Sequence, residues 1–338
     1  MKKILFATTA LVATAGMAAA DVKISGYGRF GLDYNEANKN VIGRSDTNIT
    51  SRLRLQFDMS TETDAGVVFN ARVRMQSENR DGNPGRSAPG GDNGFNGARF
   101  GVSYGGLTVN VGNIIGAIEN APGLYTTTIS TGTGIDGMDF HSLPIKGMNG
   151  VGWYWDSYDS DGMGANGIEA LYTFSGFTGH VSYSRNNGGT VAGEAKGEAR
   201  TAIMLTYSFS DYYVTAAYQS SENGPTRVIN GKTVETTDGI TFAAVGADFG
   251  QFGAKLAYGD TEEASSWTLE GNMDIGAASN VVLWVNSTDS EVSTDAADGT
   301  AYGINYQYDL GGGATLVAGY VDTAANDSQF QAGVYFKF

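Results

Sequence analysis

The chain has no cysteine among its 338 residues, so no disulfide framework can hold it together. After its first segment it has no run approaching the roughly 20 apolar residues that a membrane-spanning helix needs. Histidine is nearly missing too, with only His141 and His180. Basic residues are few: 21 Lys and Arg stand against 36 Asp and Glu, a formal charge of −15. That balance argues against a nucleic-acid partner, because neutralising phosphates takes clustered Lys and Arg. Glycine and aromatic residues are plentiful, with 49 Gly, 18 Tyr and 16 Phe. Such a chain is too aromatic for disorder and points to an all-β protein held by extended sheet.

The first residues read as a secretory signal over 1–20. Lys2 and Lys3 supply a positive start, Ile4 to Gly16 a short apolar stretch, and Ala18-Ala19-Ala20 small residues for cleavage before Asp21. Residues 21–338 then form one domain.

Most of that domain alternates with period two, the mark of a strand with two different faces. Ser51 to Met59 sets Leu53, Leu55, Phe57 and Met59 against Arg52, Arg54, Gln56 and Asp58. Val67 to Gln76 repeats the pattern, and the final strand sets Phe330, Ala332, Val334, Phe336 and Phe338 against Gln331, Gly333, Tyr335 and Lys337. Alternation alone also fits a soluble sandwich, so the breaks between strands decide. Tyr104-Gly105-Gly106-Leu107, Phe174-Ser175-Gly176-Phe177, Phe209-Ser210-Asp211-Tyr212 and Phe249-Gly250-Gln251-Phe252 are two-residue turns flanked by large apolar side chains. Long polar loops lie between them. Short turns at one end, long loops at the other and aromatics beside the turns form the pattern of an outer-membrane barrel.

Parity sets the strand count. The first strand, Val22 to Tyr34, rises from the short-turn end, so every even-numbered strand must descend into a short turn. Strands two and three meet at Thr61 to Gly66 and strands four and five at Gly105-Gly106, which makes Gly167 to Phe174 strand six. Ile115 to Asn166 is then one long connection. The remaining strands fall at 177–185, 199–209, 212–220, 238–249, 252–259, 266–274, 280–288, 300–309, 314–322 and 329–338, a total of sixteen. Two of them, Ile240 to Phe249 and Asn280 to Asn286, are apolar on both faces, and the pattern does not say which face meets lipid.

Arg29, Arg52, Arg54, Arg72 and Arg74, with Arg99 a little lower, fall at similar heights on the polar face of the first four strands. So many guanidinium groups in a dry interior would be prohibitive, so this interior holds water or matching carboxylates. The long third connection offers Glu119, Asp136 and Asp139. Folded inward, it would narrow a channel between an acidic loop and a basic wall, as charged rings do in selective pores. A weak cation preference is the expectation. The competing readings are a loop left outside and a substrate-specific channel, whose mark would be a continuous aromatic track; the inward Tyr213 and Tyr335 do not make one.

An enzyme is not expected, since hydroxyls near His180, such as Ser182 and Ser184, are ordinary pore lining and no nucleophile–base geometry is implied. No cofactor is expected either. Asp159-Ser160-Asp161-Gly162 begins like a calcium loop, but Met163 and Ala170 stand where oxygen ligands should. Acidic loops such as Asp289 to Asp298 could hold a divalent cation such as Ca2+ between subunits or against lipopolysaccharide.

Asp21 to Phe30 at the start, the Arg52/Arg54 and Arg72/Arg74 strands and Gly333 to Phe338 at the end together resemble the Gram-negative general porins, closest to the α-proteobacterial, Rhodobacter type. The resemblance covers essentially the whole domain. It implies a sixteen-stranded, trimeric outer-membrane diffusion channel for ions and small hydrophilic solutes. Arg29, Arg52, Arg54, Arg72 and Arg74 would face Glu119, Asp136 and Asp139 across an eyelet. It further implies reading of Phe338 by the barrel-assembly machinery and a closing contact between the ends of Asp21 and Phe338. Gly147 to Asn166 makes the third loop longer than that family would suggest.

Overall fold

Where residues alternate, the chain pairs. The computed structural model describes residues 21–79, 94–138, 155–160, 162–186, 196–291 and 297–338; the expected signal segment, His141 and Asp139 lie outside them. In chain order the strands are β1 (Asp21–Asn35), β2 (Thr47–Glu62), β3 (Val68–Asn79), β4 (Arg99–Tyr104), β5 (Leu107–Gly112), β6 (Gly167–Phe174), β7 (Phe177–Arg185), β8 (Ala199–Phe209), β9 (Tyr212–Glu222), β10 (Thr226–Ile229), β11 (Lys232–Glu235), β12 (Ile240–Asp248), β13 (Phe252–Asp260), β14 (Ala264–Ile275), β15 (Ser279–Ser290), β16 (Gly299–Gly311), β17 (Ala314–Asp322) and β18 (Ser328–Lys337). Among the described residues no helix is long and apolar enough to cross a membrane.

Sixteen of these strands close into one antiparallel barrel, each beside its sequence neighbour, with β9 pairing directly to β12. The parity count is borne out. The extra pair, β10–β11, was not expected from the sequence: it is a separate hairpin in the long connection between β9 and β12. β1 and β18 form the seam, where Gly26 N donates to Phe338 O at 2.9 Å and Phe338 N to Gly26 O at 3.1 Å. The chain's closing contact therefore lies five residues in from Asp21, which pairs instead with Ser60 of β2.

The short turns have the backbone that tight hairpins require. Gly105 and Gly106 have φ of 56° and 87°, and Ser175 and Gly176 of 48° and 86°. Two consecutive residues at positive φ match the right-handed strand twist. The aromatics beside these turns all face outward and exposed, including Tyr104, Phe174, Phe177, Phe209 and Phe252. Phe177, Tyr207, Phe209 and Tyr212 stack in sequence at centroid distances of 4.2, 5.3 and 5.5 Å. They form one stacked arc of the aromatic girdle at the short-turn rim.

On the outer face Leu205, Val214, Leu256, Leu283 and Ile304 are exposed, the apolar band a bilayer would cover. The two strands apolar on both faces now divide. Ile240, Phe242 and Ala244 are buried inside, with Val245 outward; Val282 and Trp284 are buried inside, with Leu283 outward. The physical reason is that lipid would cover one face and a loop packs on the other.

Candidate pore constriction

That loop is the third long-end connection. From Asn113 it turns into the barrel and runs around the inner wall, and each stretch is caught by a polar side chain of a different strand. At its root, Glu169 of β6 accepts hydrogen bonds from Ile115 N at 3.1 Å, Gly116 N at 2.9 Å and Asn110 Nδ2 at 2.8 Å, with His180 Nε2 at 3.2 Å. Ser182 Oγ takes Ala117 N. Ala117, Ile118, Ala121 and Leu124 then pack on Met204, Ile240, Phe242 and Ala244, which is why those inward faces are apolar.

Farther on, Lys255 of β13 and Glu270 of β14 pair at 3.3 Å. Lys255 Nζ donates to Tyr125 O, and Glu270 accepts Thr127 N at 3.0 Å. Gln307 accepts Ile129 N at 2.8 Å, Trp284 Nε1 donates to Thr133 Oγ1 at 2.8 Å and Asn305 accepts Gly134 N at 2.8 Å. The tip rests on the seam. Gln331 of β18 accepts from Ile135 N and Asp136 N at 2.8 and 3.1 Å and donates to Asp33 and Asp136 at 3.1 and 2.5 Å. A Cβ on Gly319 of β17 would fall on the backbone of Gly134, so the close approach of the tip requires glycine there.

The facing wall, β1 to β4, carries the arginines. Arg52 pairs with Glu78 and donates to Tyr27 Oη at 3.2 Å; Arg72 pairs with Asp58 at 2.5 Å. Arg54 donates to Gln76 at 2.6 Å and lies over the Tyr27 ring. Arg74 donates to Gln56 at 2.8 Å and to Ser160, and its guanidinium carbon sits 4.4 Å from the Tyr158 ring centre, with Arg99 near the same ring at 5.4 Å. Arg29 donates from Nη1 to Ile135 O at 2.8 Å. Among the described residues, Arg29, Arg54, Arg74 and Arg99 have no carboxylate within ion-pair distance. The structure thus places the predicted arginines on adjacent strands, interleaved with the rings of Tyr27 and Tyr158.

The predicted acids are less uniform. Asp136 reaches this wall at the tip, taking Thr50 Oγ1 at 3.1 Å besides Gln331. Glu119 instead accepts from Tyr125 Oη at 2.7 Å and Trp155 Nε1 at 2.8 Å. Burial and the Glu119 carboxylate push the Tyr125 phenol well up, so it stays a protonated donor. Asp139 lies outside the described residues, as does part of the Asp289 to Asp298 loop.

A closed sixteen-stranded barrel, an aromatic girdle and an inward third loop opposite an arginine wall together define a narrowed channel, and the sequence profile of Gram-negative porins matches residues 7–328. This chain belongs to the Gram-negative porin family. A porin of Fuscovulum blasticum is 30% identical over 323 residues, covering 94% of this chain and 100% of the relative. A porin of Rhodobacter capsulatus is 26% identical over 341 residues, with the same coverage. The solved structure of a triple mutant of the Rhodopseudomonas blastica porin is similar at a TM-score of 0.72, with 27% identity and 94% and 100% of the two chains covered. The porin is an outer-membrane channel for passive diffusion, not an enzyme.

Sequence reasoning missed most of what holds this porin's loop. Glu169, Lys255, Glu270, Asn305 and Gln331 each read as an isolated polar residue on an inner face, and only the identity of the loop opposite gives them a role. Lys255 and Glu270 make the sharpest test. Lys255→Met leaves Glu270 buried without its cation, a change that costs about 3–5 kcal/mol. The folded barrel of the variant should convert to the heat-denatured form on a gel at a clearly lower temperature; an unchanged conversion temperature would show that the pair contributes nothing.

Proposed function

We propose that the eyelet of this porin is formed by Arg29, Arg52, Arg54, Arg72 and Arg74 on the wall and by the loop tip with Asp136 opposite. The observation that carries this reading is the loop's path, pinned along the inner wall from Glu169 to Gln331. Of the acids assigned from sequence, Asp136 supplies the acidic side; Glu119 braces the loop through Tyr125 and Trp155, and Asp139 is kept as a lining candidate. With Arg54 and Arg74 on the eyelet wall paired to no carboxylate among the described residues, the eyelet favours small anions, the reverse of the weak cation preference expected from sequence. The general-porin reading is favoured over a substrate-specific channel because the inward rings of Tyr27 and Tyr335 stack as a single pair at 4.9 Å, which is not a continuous track.

The finer assignments rest on the family. Residues 1–20 direct export to the periplasm, the barrel assembles as a homotrimer, and its outer face contacts lipid and lipopolysaccharide. Phe338, whose main chain closes the seam and whose ring lies exposed, is the recognition point for the assembly machinery. Among the described residues no cluster of three or more His, Asp or Glu is placed to hold a metal, so a loop-bound Ca2+ would need residues of the acidic loops outside them.

Purified protein in a planar bilayer tests the reading. Stepwise conductance, in threes for a trimer, with a reversal potential of anion sign in a salt gradient, is expected. A folded barrel that does not conduct would sink the proposal, and a cation-sign potential would remove the arginine assignment.

A further inference from the structure

We propose that Gln56 and Gln76 are positioning residues for the charge of the eyelet. Each stands between an acid and an arginine that the acid would otherwise neutralise, leaving Arg54 and Arg74 to act on the lumen. The two strands carry the same pattern. Arg52-Leu53-Arg54-Leu55-Gln56-Phe57-Asp58 on β2 and Arg72-Val73-Arg74-Met75-Gln76-Ser77-Glu78 on β3 both place two arginines, an amide and an acid at alternate positions. Their antiparallel register lays the pattern on itself. Arg52 stands opposite Glu78, Arg54 opposite Gln76, Gln56 opposite Arg74 and Asp58 opposite Arg72. Four arginines therefore share two acids. The outer two meet them directly, as the Arg52–Glu78 and Arg72–Asp58 pairs. The inner two, Arg54 and Arg74, meet amides.

Both amides are oriented in the same sense. Gln56 Nε2 donates to Asp58 Oδ2 at 2.6 Å and Gln76 Nε2 to Glu78 Oε2 at 3.1 Å. That donation leaves each Oε1 for the opposite strand, where it accepts from Arg74 Nε at 2.8 Å and from Arg54 Nε at 2.6 Å. A primary amide can serve both neighbours because it donates and accepts at once without carrying charge. The same two arginines lie against rings, Arg54 at 5.2 Å from the centre of Tyr27 and Arg74 at 4.4 Å from that of Tyr158. Each guanidinium is thus held by an amide at Nε and by an aromatic on one face. Of their terminal nitrogens, only Arg74 Nη1 meets an acceptor among the described residues, Ser160 Oγ at 3.3 Å. Long side chains on one face of a sheet reach their diagonal neighbours. Without the amides, Arg54 would turn to Glu78 and Arg74 to Asp58. The wall would lose its surplus charge although no charged residue had changed.

The relay acts on the proposed anion-favouring eyelet and so rests on that reading, but its test compares two proteins rather than reading the sign in either. Gln56→Met with Gln76→Met leaves the net charge unchanged. In a planar bilayer under a salt gradient, this double variant should shift the reversal potential toward the cation side of the parent's. Each single variant should give a smaller shift of the same sign. A crystal structure of the double variant should show Arg54 against Glu78 and Arg74 against Asp58. Gln251→Met, at the short-turn rim where Gln251 Nε2 donates to Asp274 O, should leave the potential where it was. A folded double variant that melts lower but keeps the parent's potential would assign the amides to packing alone and overturn the proposal. A shift toward the anion side would overturn it too. If the double variant does not fold, the single ones, each retaining one complete relay, decide by the same sign. A crystal structure of the unaltered porin in which Arg54 or Arg74 pairs with an acid overturns the proposal without any variant. A cation-sign potential in the parent removes the anion reading of the eyelet, and the shift between parent and variant still judges the relay.

Discussion

Gln331→Ala should raise the single-channel conductance of this porin more than the loss of any other one loop anchor. The Gln331 side chain is 2% exposed and makes four hydrogen bonds, two to loop-tip N–H groups and two to the carboxylates of Asp33 and Asp136. Each buried group left unsatisfied costs about 1–3 kcal/mol, and the tip can recover that by lifting off the wall into water. A lifted tip widens and loosens the eyelet, so larger and noisier steps are expected. Gln307→Ala, which removes one bond to Ile129 N, should have the smaller effect. If Gln331→Ala folds and its conductance equals the parent's, then Arg29, Asn305 and Trp284 suffice to seat the tip and Gln331 does not control the opening.

The largest change in selectivity should come from Arg54→Gln, Arg74→Gln and Arg99→Gln combined. These arginines have no carboxylate within ion-pair distance among the described residues, so their charge is not cancelled locally. Arg52 and Arg72 are matched by Glu78 and Asp58, and removing either would strand an acid and confuse the reading. The triple variant should move the reversal potential in a salt gradient through zero toward the cation side. The shift should shrink as ionic strength rises and the wall is screened. A potential that does not move would place the selecting charges elsewhere, in the loop or at the mouth.

Much of the fold was legible because its signals are local. Ser175-Gly176 and Gly105-Gly106 carry their turn geometry in their own residues, and the parity of those turns gives the barrel its sixteen strands. The arginine wall was legible too, since Arg52, Arg54, Arg72 and Arg74 stand on faces whose opposite side is plainly apolar. Other features depend on a partner far along the chain. Ile240, Phe242, Val282 and Trp284 blur the alternation because the loop covers the inner face while the outer face is also apolar. Glu119 reads as a lumen acid, yet Tyr125 and Trp155, in the same loop, take its carboxylate. The hairpin β10–β11 is four residues a side, too short for alternation to register.

The seam between β1 and β18 has a consequence for assembly. It joins the two barrel strands most distant in sequence, and until it forms the sheet has two bare edges able to pair with the wrong chain. Gln331 on β18 and Arg29 on β1, which together seat the loop tip, flank that same seam. A barrel still open along this line leaves the tip without its bonds from Arg29 and Thr50, so its seat is completed only on closure. The permeability limit is thus acquired together with the continuous wall. Half-built copies expose the cell to sticky edges rather than to wide, finished holes.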